Sequence, residues 1–175
     1  MPHWQSIVEN HAGLVWQTIR RLLDHEADAA DCFQDTFLAA FEASRVKPVT
    51  AWPAFLVKIA TNRALDRLRR YDRERRRTGG DRDVIAAIAA QAMPHEQAEE
   101  RELLGRLRQA VAGLPEDQAE VFWMAMFEPL SHADIAAALG ITPNHVGVLL
   151  HRARKTVQSR LLSAVEAGNA SPEPL

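Results

Sequence analysis

From Thr142 to Ser163 the chain reads TPNHVGVLLHRARKTVQSRLLS, in which amide, imidazole, guanidinium and ammonium groups recur and no carboxylate occurs. At about 100° per residue, a helix over this stretch projects Asn144, Val148, His151, Arg152 and Lys155 from one side. Such groups recognise rather than react. Amides and cations reach base edges and phosphates from a helix in the major groove, and an outward valine meets a thymine methyl. A solvated polar face on an ordinary helical hairpin is the plain alternative, and the lack of acids weighs against it.

Two further stretches group their charges. In TNRALDRLRRYDRERRR, Asn62, Arg63, Asp66, Arg70 and Arg73 fall along one helical side with Arg67 and Arg69 flanking. That surface suits phosphate tracking beside an amide that could bind a base. In ADAADCFQDTFLAAFEA, Asp28, Asp31, Asp35, Leu38 and Glu42 share one side, while Phe33, Phe37, Ala40 and Phe41 form an apolar one. A solvated charged helix is the alternative for both, but a leucine inside the acidic stripe favours a protein-docking surface. Reaction chemistry has little support. His95-Glu96-Gln97-Ala98-Glu99 echoes a zinc-protease helix without its second histidine, and neither a Gly-rich phosphate loop nor a nucleophile–base pair is visible. No enzyme activity, metal or cofactor is expected. Cys32, the single cysteine, sits between apolar positions and reads as a small buried side chain.

Helices must position these groups. Apolar residues recur at helical spacing nearly throughout and alternating strand patterns are nearly absent, so the expected class is all-α. The periodicity predicts helices over residues 5–23, 27–44, 54–75, 96–112, 115–127, 131–139 and 143–165. Ser131 with Asp134 resembles a capping box, Gly140 suits a left-handed helix end, and Thr142-Pro143 supplies an N-cap with proline at the first helical position. A helix-turn-helix from about Ser131 to Lys155 follows. Val146, Leu149, Leu150, Ala153, Val157 and Leu161 pack its second helix inward. Glycines and a proline between Arg75 and Pro94 mark a break. The expected architecture is two small helical domains, 1–77 and 99–167, joined by a flexible linker at 78–98 and followed by a frayed tail at 168–175, the second domain containing the helix-turn-helix.

With 47% hydrophobic and 25% charged residues, the 175-residue chain has the composition of a folded protein rather than a disordered one. Its net charge of −2 hides an alternation: residues 1–50 balance to −3, 51–80 to +6, 81–130 to −6 and 131–175 to +1. Basic segments suit phosphate, and acidic segments suit a basic protein surface or the chain's own cations. No apolar run approaches the roughly 18–20 residues that span a bilayer, and MPHWQSIVENH lacks the blocks of a secretory signal, so no membrane insertion and a cytoplasmic location are expected.

ADAADCFQDTFLAAFEA with FLVKIATNRALDRLRR, and then LPEDQAEVFWMAMFEPLSHADIAAALGITPNHVGVLLHRARK, resemble the second and fourth regions of extracytoplasmic-function sigma factors of bacterial RNA polymerase. Both blocks occur in order. The resemblance implies a factor that directs core polymerase to promoter DNA. It implies that Asp28, Asp31, Gln34, Asp35 and Phe37 dock on core polymerase, and that Asn62, Arg63, Asp66, Arg67 and Arg70 lie at the minus 10 element, where an extruded base is captured without hydrolysis. Asn144, His145, Val148, His151, Arg152 and Lys155 would then read the minus 35 element as duplex. An anti-sigma factor is a further implied partner. The chain departs from the family at Gly147-Val148-Leu149, where many members carry a basic-Ser-basic triplet, and at Pro53, in the loop before the helix of Asn62 that helps select the minus 10 base. The rival reading is a helix-turn-helix regulator acting without polymerase, which would not need the acidic stripe.

Overall fold

A computed structural model describes residues 4–78 and 95–169. Among them the chain forms seven helices and no strand: α1 (Trp4–Leu22), α2 (Glu26–Val46), α3 (Trp52–Thr78), α4 (His95–Ala112), α5 (Glu116–Phe127), α6 (His132–Leu139) and α7 (Pro143–Asn169). The residues expected to form a linker lie mostly outside the described residues, and α4 begins at His95, inside that stretch. The expected tail lies outside them beyond Asn169.

The N-terminal three helices pack on one another because each carries an inward apolar side. On α1 that side is Ile7, Val15, Ile19 and Leu22, on α2 Ala29, Cys32, Phe37 and Ala40, and on α3 Leu56, Val57, Ala60, Ala64 and Leu65. Burial pushes the Cys32 thiol up to about 11, as expected of a small core residue whose thiolate is costly to form. In the C-terminal group α7 is the spine, packing against α4, α5 and α6. α3 starts two residues before its expected first residue, so Pro53 lies in its first turn rather than in the preceding loop. A proline fits there because first-turn N–H groups have no intrahelical acceptor.

The two helical groups share one contiguous apolar core. α3 is the joining element, because it packs on α1 and α2 and also on α4, α5 and α6.

Candidate nucleic-acid interface

The helix-turn-helix forms as its local residues dictate. The Ser131 hydroxyl accepts from the Asp134 N–H at 3.1 Å, and the Asp134 carboxylate accepts from the Ser131 N–H at 3.0 Å and its hydroxyl at 2.6 Å. Those bonds, the hydroxyl first, hold the Asp134 carboxyl below the usual carboxylate range. Gly140 ends α6 in the left-handed region at φ 72°, where its N–H and that of Ile141 both reach the Ala136 carbonyl. Thr142 then caps α7, its hydroxyl accepting from the His145 N–H at 3.2 Å, with Pro143 as first helical residue.

Val146, Leu149, Leu150, Ala153 and Val157 are buried and Leu161 is half-buried, which fixes how α7 is rotated. Asn144, His145, Val148, His151, Arg152 and Lys155 are consequently all exposed on its outer side. Val148 keeps 38% of its surface accessible, enough for its methyls to meet a ligand. An open hollow joins Asn144, Val148, His151 and Arg152 to His132, the first residue of α6. His132 is absent from the sequence-based candidates; its signal was its place directly after the cap Ser131, which aims it across the turn.

The upstream candidates are brought together in a different way. On α2, Asp31 and Gln34 are exposed, and Leu38 stands 58% exposed beside them. Phe37 corrects the expectation: it is only 7% exposed, its ring set edge-on to Trp4 and Phe33. Its side chain belongs to the apolar stripe of α2, so it supports the exposed face of that helix from beneath. Asp28 and Asp35 face α3, where Arg67 lies 3.8 Å from Asp28 and 3.0 Å from Asp35, with Arg63 at 3.9 Å from Asp35. Arg67 thus ties the acidic helix to the cationic one. Arg70 and Asp66 are exposed on α3, and Asn62 is half-buried, near enough to Glu120 on α5 to favour its charged form.

The contact between the two helical groups is polar at its edges, and the sequence reading did not place it. Three cations of the N-terminal group each meet carbonyls at a helix end of the other. Arg21 donates to the Phe127 carbonyl at 2.7 Å, Lys58 to Ala138 at 3.0 Å, and Arg69 to Ala112 and Leu114 at 3.4 Å each. In the reverse direction Arg108, only 4% exposed, donates to Arg21 and Arg20 at 2.7 and 3.2 Å and pairs with Asp24. Free C-terminal carbonyls and the negative end of the helix dipole make such positions favourable for cations. Glu128, buried, accepts from Thr18 at 2.7 Å and Arg21 at 3.3 Å, yet burial outweighs both and raises its carboxyl pKa. Burial likewise raises Glu120, against the pull of Lys58 and Asn62. The available signal was a carboxylate at each edge of the apolar run VFWMAMF.

Comparison with known proteins agrees with this division. Residues 7–74 match the family described as sigma-70 region 2, and residues 104–157 match sigma-70, region 4. A relative named ECF RNA polymerase sigma factor SigE, from Mycolicibacterium smegmatis, is 29% identical over 161 residues. That alignment takes in 92% of this chain and 62% of the relative, so the chain spans less than two thirds of its length. The solved structure of CnrH in complex with the cytosolic domain of CnrY aligns with TM-score 0.58 and 24% identity, covering 92% of this chain and 88% of that one. The sigma factor RpoE in complex with the anti-sigma factor NepR, from Bartonella quintana, aligns with TM-score 0.52 and 20% identity, covering 90% and 95%. These two likenesses establish the fold.

Proposed function

The chain belongs to the sigma-70 family, in its extracytoplasmic-function group, and we propose that it directs core RNA polymerase to specific promoters for transcription initiation. The observation that carries the reading is the presence of both family regions in order, with an exposed, acid-free recognition face on α7 in the second. A regulator working without polymerase would account for the helix-turn-helix but not for the region 2 match over residues 7–74.

In this reading Asp31, Gln34 and Leu38 dock on core polymerase, with Asp28 and Asp35 holding α2 against α3 through Arg67. Asn62, Arg63, Asp66 and Arg70 work at the minus 10 element, where captured bases offset part of the cost of unstacking, a few kcal/mol each. Asn144, His145, Val148, His151, Arg152 and Lys155 dock in the minus 35 major groove, cations on phosphate and Val148 on a base edge. In this reading the protein acts by binding, a role that calls on neither a catalytic residue nor a cofactor. Its place of work is the cytoplasm, with polymerase and chromosome; among the described residues no single helix is long and apolar enough to cross a membrane. An anti-sigma factor is a further partner, in line with the complex of RpoE with NepR.

The docking assignment is tested by Asp31→Lys. Asp31 is exposed and outside the Arg67 pairs, so the variant should keep the helical fold and lose at least about tenfold in affinity for core, as an opposed charge does at an interface. Unchanged competition for core at low salt would refute the assignment.

A further inference from the structure

The hollow at the turn is walled by two imidazoles that come from different helices. His132 is the first residue of α6 and His151 stands on the outer side of α7; both are exposed, and both line an open space of about 400 Å³. Gly147 lines it too, and a Cβ there would meet nothing within 4 Å, so a residue without a side chain leaves the space open.

The charges around the hollow are of one sign. Arg152 is the charged side chain lining it beside the two rings, and no carboxylate lines it. Arg154 and Lys155 follow on α7, with Arg154 directed to the Met126 sulfur of α5. The acid of α6, Asp134, has its carboxylate bonded to the Ser131 N–H and hydroxyl. α3, α4 and α5 pack on α6 or α7 without contributing a residue to the hollow. Lys58 of α3 is bonded to the Ala138 carbonyl at the other end of α6, Arg160 is bonded to the end of α4, and Glu128, just past α5, is buried against Thr18 and Arg21. Nothing anionic of this chain therefore competes with a phosphate for the two rings.

We propose that His132 and His151 bind a backbone phosphate of promoter duplex in this hollow as imidazolium ions, so that docking of α7 takes up protons. The identity of the duplex rests on the reading of α7 as the minus 35 helix. A phosphodiester keeps its single negative charge across the neutral range and favours the protonated form of an imidazole beside it. Affinity is then highest where the rings carry protons and falls as pH rises through the range in which imidazole discharges. Guanidinium and ammonium groups stay charged across that range, so the pH response belongs to the rings.

Retention of a mixed-sequence duplex of about 30 base pairs, at fixed low salt and from about pH 5.5 to about pH 8, tests the proposal, with helicity checked at each pH. The full chain should lose at least about tenfold in affinity across the range, and His132→Gln with His151→Gln less than about threefold. His132→Lys with His151→Lys should hold the duplex at the high end of the range as tightly as the parent does at the low end. The buried carboxyls Glu120 and Glu128 are unchanged in every variant, so a pH response that they carry persists in all of them. A parent that binds without a pH response, or a glutamine double variant that responds as the parent does, overturns the proposal. Should no form hold duplex at any pH, the promoter-binding reading fails, and ring titrations by NMR with inorganic sulfate, chloride balancing the ionic strength, still decide the hollow. Midpoints of His132 and His151 that rise with sulfate while those of His11 and His25 stay support it, and midpoints that do not move overturn it.

Discussion

Val148 gives the exposed side of α7 an apolar centre, flanked by Asn144, His151 and Arg152. The residues around it divide by what they can reach. In the proposed reading Arg152 and Lys155 carry charge to phosphates, whereas Val148 has only methyl groups to set against a base edge. Arg152→Ala with Lys155→Ala should therefore flatten the log–log salt dependence of duplex binding by about 0.9 for each phosphate that is no longer neutralised. Val148→Ser should leave that slope unchanged and alter which sequences bind. Binding isotherms across a salt series separate the two; an altered slope in the Val148 variant would contradict the division. This outward face was legible in the sequence because a clean apolar stripe, from Val146 to Val157, fixes the rotation of the helix. Phe37 shows the opposite lesson. The apolar stripe of α2 placed it correctly, and the family resemblance placed it on the docking surface; only the rings of Trp4 and Phe33 packed against it decide between them.

Among the elements, α6 is the shortest and depends most on its ends. Gly140 holds a left-handed conformation, and nothing lies within 4 Å of where a Cβ would stand. Gly140→Ala is thus a test of backbone conformation without a clash, and should lower stability by about 1–2 kcal/mol in chemical denaturation. No loss of stability would mean that the turn does not need the left-handed residue. Capping signals at Ser131, Gly140 and Thr142 were readable because they are local, made by side chains and amides within four residues. The double duty of α3 was not readable. Its arginines look alike in sequence, yet Arg67 turns to α2, Arg69 turns to α4, and Arg70 faces solvent. Which cation meets which carbonyl depends on helices more than thirty residues away.

For the whole molecule, two buried carboxyls make the packing of the two groups depend on pH. Glu128 faces Thr18 and Arg21, and Glu120 faces Lys58 and Asn62 with Glu116 and Asp117 nearby. Both carboxyls titrate above their ordinary value when packed, so the packed form holds protons that the parted form releases. Its advantage is full below the ordinary carboxyl pKa and is lost as pH rises through the raised values. Energy transfer between dyes at Glu9→Cys and Gln158→Cys should fall as the pH is raised from about 5 to about 8, and Glu120→Gln with Glu128→Gln should abolish the change. A pH response that survives both substitutions would place its origin elsewhere. At this scale the sequence showed two basic and two acidic segments without showing that they close on one another through helix ends. The central claim is that the chain redirects polymerase, and it is tested most directly by mapping transcript 5′ ends made on a pool of genomic fragments by core polymerase with and without the protein. A new set of start sites, present only with the protein and sharing one pair of upstream elements, is the expected result. Identical start sites in the two reactions would contradict it.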